Sequence, residues 1–295
     1  MRFNFFPAAS ILGLLALGSL LTGTVLANER LIEEQRTLKH DARLTISNVA
    51  GEIRVTGWDK PLMDLRAVPG LAFEDLRITG DADDLRVEVK VPKKSRNVDG
   101  TELQLSVPHS VKLIVDAVSA DVIVRELSGP LELKTVSGEI TSHTKSRQVR
   151  IKTVSGDIVL EAPSERTELG SVSGDIEARG LLGELDAETV SGSVDLQMVD
   201  VRRLNAKAVS GDLDLRVDQL SDARIKAETL SGDVQLWLPD DSHADVELNT
   251  FSGDLSSALG PSIRRGAANH AFILGKGGNR IDLNSFSGDV DLRSR

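Results

Sequence analysis

The chain has 295 residues, 45 acidic against 35 basic side chains, a net charge of −10, and neither cysteine nor tyrosine. At 40% hydrophobic and 27% charged it has the composition of a folding chain. The absence of cysteine excludes disulfides, thiolate metal sites, a cysteine nucleophile and a lipidated N-terminus. An acidic chain without a strongly basic block argues against nucleic acid as a partner.

Residues 1–27 carry Arg2, an apolar run from Ala8 to Leu21 and the ending Val25-Leu26-Ala27. That layout predicts a secretory signal peptide cleaved before Asn28. Pro7 and the Gly, Ser and Thr residues after Gly18 weaken the competing reading, an uncleaved anchor. The expected product is exported, periplasmic or at the cell surface, with no stable membrane span and no lipid anchor. It has a net charge of −11 once Arg2 is lost.

The body, 28–295, reads as one repeat. Val136-Ser-Gly-Glu-Ile140 returns as Val154 to Ile158, Val172 to Ile176 and Val190 to Val194. Further copies are Val209 to Leu213, Leu230 to Val234, Phe251 to Leu255 and Phe286 to Val290. Val118 to Val122 and Val49 to Ile53 are degenerate members. The central serines follow each other at 18 residues from Ser119 to Ser191, then at 19, 21, 21 and 35. Six before, four before and three after the serine, the chain is almost always aliphatic, as in Leu131, Leu133 and Ile140. Apolar positions two apart predict strands with one buried face. A unit of two short strands cannot bury that face alone, so rungs must stack. The predicted fold is all-β, a single-chain parallel β-solenoid (β-helix) with rungs of about 18–21 residues, each about 4.8 Å above the last. Regular rungs are expected over 111–255, an irregular region over 56–110, a loop over 256–276 and a final rung over 277–295. Phe251 and Phe286, standing where other rungs have Val, predict a wider core at that end. Lys93, Lys94 and Arg96 read as a solvated basic loop.

The polar columns carry the chemistry. Nine of the ten units are acidic two after the serine, including Asp157, Asp175, Asp212, Asp233 and Asp254, with Ser193 the exception. The plain reading is that Ser and Asp bond the turn's own N–H groups. Stacked carboxylates repel by roughly 1 kcal/mol in water, so the ladder must splay, find backbone donors or capture cations. Ca²⁺ is the one cofactor this ladder invites, although nothing fixes six to eight oxygens at one point. Thr or Ser recurs two before the serine and reads as a hydroxyl ladder serving the turn. The five histidines share no repeat position and no metal-ligand or nucleophile spacing appears, so no catalytic residue and no metal site is assigned. Trp237, out of phase with Leu236 and Leu238, is the candidate exposed anchor, with packing under the 256–276 loop as the alternative. An uncapped final rung would admit self-association.

The repeated [Val/Leu/Phe]-Ser-Gly-Asp-[Ile/Val/Leu] unit, with Val49 to Ile53, Gly57-Trp58-Asp59 and Gly277-Gly278, resembles a bacterial β-strand-repeat family of unknown function. The family is labelled "putative adhesin" and is related to auto-transporter adhesin head domains. The resemblance implies a β-helical, extracytoplasmic, non-enzymatic protein linked to envelope stress, and carries over no catalytic residue. The expected function is an adhesin-like or scaffold protein of the cell envelope that binds an envelope protein or a surface glycan. A polysaccharide lyase or hydrolase is the alternative, and a cation-binding or self-assembling solenoid a further one. Thermal melting with and without Ca²⁺ checks the cation reading: an unchanged midpoint removes it.

Overall fold

Strand Lys112–Arg125 shows how one period is built. Its first part, around Leu113 and Val115, runs parallel to residues 43–48 on one side and Leu131–Lys134 on the other. Its last part, around Val122 and Val124, runs parallel to residues 50–56 and to Ile140–His143. Each period thus gives one short strand to each of two parallel ladders, with the Ser-Gly corner between them. The computed structural model describes residues 31–92, 100–264 and 266–295. The expected signal peptide and the cluster Lys93, Lys94 and Arg96 lie outside the described residues. Among the described residues the chain is all-β, with a parallel core, additional antiparallel strands and no helix.

The aliphatic columns become the core. Leu113, Leu131, Val149, Thr167, Leu185 and Leu204 stand in register in the first ladder, and all are buried. Val122, Ile140, Ile158, Ile176, Val194 and Leu213 do the same in the second. Burying one such Leu, Ile or Val stabilises by about 1.5–3 kcal/mol relative to exposure. The in–out alternation holds until the corner, where it slips by one. Thr135 points in, Val136 and Ser137 both point out, and Gly138 is in again. Phe251 and Phe286 fall on the outward phase and are exposed. The expected widening of the core therefore does not occur; the large side chains stand on the surface.

The corner glycines answer a steric demand. A Cβ on Gly156 would lie 1.8 Å from the carbonyl oxygen of Gly138, and one on Gly174 would lie 2.0 Å from that of Gly156. Gly192 and Gly211 repeat the relation at 2.2 and 2.0 Å. At these four corners the backbone of one rung rests on the carbonyl of the last, and φ is not positive. Gly170 differs, because a Cβ there would meet only Lys152 Cγ, at 3.8 Å.

The stacking order departs from chain order at both ends. The last strands, Asn279–Ser287 and Val290–Ser294, insert between the rung at Ile225 and Val234 and the rung at Val246 and Leu255. At the other end Arg43–Trp58 lies between the Lys112–Arg125 rung and an outermost pair, Asp84–Lys90 and Thr101–Pro108. Antiparallel strands close most of the edges. Asn269–Leu274 lies against Ala244–Ser252, Asp75–Gly80 against Asp84–Lys90, and Leu62–Val68 against Thr101–Pro108. The expectation of an uncapped final rung is corrected, because that rung is internal and its outer neighbour is capped along the first ladder. The outermost strand along that ladder is then the antiparallel Asn269–Leu274, and no parallel edge of the final rung is left open there.

Two glycines in neighbouring positions should behave oppositely. Gly156→Ala should destabilise by roughly 3 kcal/mol through overpacking against a backbone it cannot move. Gly170→Ala should leave stability within about 0.5 kcal/mol or raise it slightly. Urea denaturation of the two variants checks this.

Candidate functional site

Three lines of side chains run along the Ser-Gly corner. The innermost is the Thr/Ser column, which is buried. Thr135 Oγ1, Thr153 Oγ1 and Ser171 Oγ accept from the N–H of Gly138, Gly156 and Gly174 at 3.1, 3.0 and 2.8 Å. Thr229, Thr250 and Ser285 donate to the glycine carbonyl of a neighbouring rung at 3.2, 2.9 and 2.9 Å. A hydroxyl stands here, where an aliphatic would otherwise be expected, because the corner turns backbone polar groups inward and these need partners.

The outermost line is acidic, and its carboxylates find backbone donors, although those of the next rung and not of their own turn. Asp157 and Asp175 accept through Oδ1 from the backbone N–H of Asp175 and Ser193, at 2.9 and 2.8 Å. Asp212 and Asp233 accept from Asp233 and Asp289, and Asp289 from Asp254, each at 2.8 Å. The carboxylate thus staples the next rung and does not serve its own turn. No such bond forms from Glu139, whose longer side chain accepts instead from Thr141 Oγ1 at 3.1 Å, nor from Ser193. The structure brings Asp157 and Asp175 together, and Asp212, Asp233 and Asp254 into a second run beyond Ser193. Among the described residues no group of three or more His, Cys, Asp or Glu is disposed to hold a metal ion.

Between these lines stands the feature the sequence reading missed. Val118, Val136, Val154, Val172, Val190, Val209, Leu230, Phe286 and Phe251 follow one another up the corner, rung on rung, and all point outward. The six valines are 43–46% exposed, Leu230 53%, Phe286 52% and Phe251 76%. The two phenyl rings stack at 4.8 Å with planes 6° apart. Eight steps of about 4.8 Å make this stripe roughly 38 Å long. Its parity was the available signal: the residue just before the serine is odd, whereas the inward positions six, four and two before it are even.

From Val172 to Leu230 the stripe forms one wall of a groove of about 900 Å³. Its floor includes Ser171, Thr189 and Ala208, and the opposite wall carries Lys152, Glu168, Gly170, Glu188 and Lys207. Gly170 stands in register between Lys152 and Glu188, and its missing side chain opens that wall. Lys152 Nζ lies 2.6 Å from Glu168, whose carboxyl is held below its usual range first by that hydrogen bond.

Trp237 lies elsewhere, on the outer side of the second ladder. It is half-buried, in register between Arg216 and Arg293, with the Arg293 guanidinium 5.3 Å from its ring centre. Beside it Arg216 bonds Asp195 at 2.9 Å and Asp214 at 2.7 Å, and burial pushes the Asp214 carboxyl up. Trp237 is therefore packed between two arginines, not the exposed anchor that its strand phase predicted.

A family model described as Toastrack DUF4097 matches residues 35–182 and again 165–293. The chain belongs to the Toastrack DUF4097 family. No curated relative matches it. Among solved structures, a "putative adhesin" from Bacteroides fragilis is similar at 15% identity and a TM-score of 0.46, covering 90% of this chain and 98% of that one. A "putative lipid binding protein" from Parabacteroides distasonis is similar at 13% identity and 0.44, covering 89% and 97%. A "putative adhesin" from Parabacteroides merdae stands at 10% and 0.35, covering 90% and 97%. No helix among the described residues is long and apolar enough to cross a membrane.

The acid staple is testable at both of its states. Asp175→Ala removes the acceptor for Ser193 N–H and should cost about 1 kcal/mol, and Ser193→Asn, which supplies an uncharged acceptor toward Asp212, should gain about 0.5 kcal/mol. Thermal unfolding of the two single variants checks both signs.

Proposed function

We propose that this Toastrack protein is an exported, non-catalytic single-chain β-solenoid of the cell envelope that binds a partner along its Val/Leu/Phe corner, in an adhesin-like or scaffold role. The observation that carries the reading is the exposed apolar stripe. Surface hydrophobics of a monomeric soluble protein are ordinarily scattered singly, whereas nine half-exposed or more exposed apolar residues here form one contiguous line, the usual mark of an interaction surface. The fold offers it cheaply. The corner repeats in every rung, so one outward aliphatic per period builds a continuous line without disturbing the core. A non-catalytic role is supported by the spread of the acids at no more than one per corner, six of them (Asp121, Asp157, Asp175, Asp212, Asp233 and Asp289) accepting a backbone N–H of the next rung. Export is supported by the layout of residues 1–27.

A photo-crosslinking residue at Val190 in the native envelope, with a second at Asp175 and a third at the exposed Glu165 of the opposite turn, tests this. Recurrent capture of one envelope protein or glycan at Val190 and Asp175, and not at Glu165, is the expected result. Equal capture at all three positions, or none at Val190, would remove the corner as the binding face.

A further inference from the structure

The charges beside the stripe select the chemistry of its occupant, and this inference rests on the corner being a binding face. On the far wall of the groove the acids are neutralised: Glu168 by Lys152 at 2.6 Å and Asp186 by Arg203 at 3.1 Å. Glu228 is paired with Lys226 at 2.5 Å. On the other flank the carboxylates of Asp157, Asp175, Asp212 and Asp233 accept only backbone N–H bonds, and no ion pair reaches them among the described residues. An uncompensated negative line therefore runs beside an apolar one, on one side only. Such a corner repels an anionic lipid surface and a second copy laid acid ladder to acid ladder. It favours an apolar partner carrying cations on a single flank.

The spacing chooses the partner's backbone. Rungs recur every 4.8 Å or so. Apolar residues return about every 5.4 Å along an α-helix, against roughly 6.8 Å for alternate residues of an extended strand. A helix keeps within half a rung of register over about four turns, and a strand loses it after about one repeat. We infer that the groove from Val172 to Leu230, three rung steps or about 14 Å long, docks about ten residues of an amphipathic α-helix of a partner protein, with Lys or Arg along the flank facing Asp175 and Asp212. The opening at Gly170 admits the helix. Nothing in the backbone demands glycine there, unlike at Gly156 or Gly174, so its smallness serves the groove and not the fold.

The test uses the protein purified from cells expressing the full chain, and fluorescently labelled 15-residue helical peptides. The first peptide has Leu at positions spaced three and four apart, Lys along one flank and Gln elsewhere. The second replaces Lys with Glu, and the third scrambles the first. Fluorescence anisotropy is expected to show binding of the Lys peptide at least tenfold tighter than of either control, weakening as salt rises. Gly170→Trp fills the groove and Val190→Lys breaks the stripe. Each should weaken the Lys peptide at least fivefold with circular dichroism and melting unchanged. If one variant unfolds, the other carries the comparison. Equal binding of the Lys and Glu peptides, or Lys-peptide binding insensitive to both variants, overturns the inference. So does light-scattering mass at twice the monomer that Val190→Lys abolishes, since the occupant is then a second copy. Failure of all peptides alongside capture of a partner at Val190 overturns the helix and leaves the binding face standing. Failure of both experiments removes the face itself.

Discussion

Everything in this molecule depends on how closely one corner can sit on the next. The strand ladders demand rungs about 4.8 Å apart, and at the corner the chain must turn without leaving that spacing. At the corners from Gly138 to Gly211 the carbonyl oxygen of the preceding rung lies 1.8–2.2 Å from where the glycine's Cβ would be, so only a residue without a side chain fits there. One rung earlier Ala120 stands in the same column, beside Gly51. The neighbouring choices follow. The inward Thr or Ser satisfies polar groups that the turn buries, and the outward Asp ties its rung to the next. The residue between them is left with no structural duty, free to be chosen for what it presents to solvent.

That freedom separates the two apolar systems of the chain. The inward aliphatics of both ladders are set by burial, and their replacement would cost core energy. The outward Val, Leu and Phe line is set by nothing inside the molecule, yet it is apolar in nine rungs running. The acid line beside it does two things at once. Its Oδ1 atoms serve the stack, and its net charge, uncompensated on that flank, faces outward next to the apolar line.

Much of the fold was legible because the repeat writes the same physics many times. Leu131, Leu133 and Ile140 declare an inward face by their spacing, and Gly138 declares a place with no room. The stapling role of Asp175 was not legible, since its partner N–H is distant in sequence by a full period and becomes adjacent only on stacking. Phe286 misled because an aromatic in a repeat reads as core filling, whereas the corner shifts the phase by one residue. Trp237 misled in the opposite way: its outward phase was read correctly, but the arginines above and below it come from other rungs. Gly170 was passed over because a single glycine outside the corner column carries no pattern.

The tucked ends alter how such a chain must finish folding. In a simple stack each newly made rung settles on a completed one, so growth follows synthesis. Here the rung at Val246 and Leu255 has its floor in residues 281–292, which are made later. A chain delivered N-terminus first can zip up to Ile225 and must then wait. The last 60 or so residues close together as one cooperative clasp, with non-local contacts that are slow to form. Until they do, the Ile225 edge stays open as a template for another chain. Completion of the sequence, not its length, is what seals the stack.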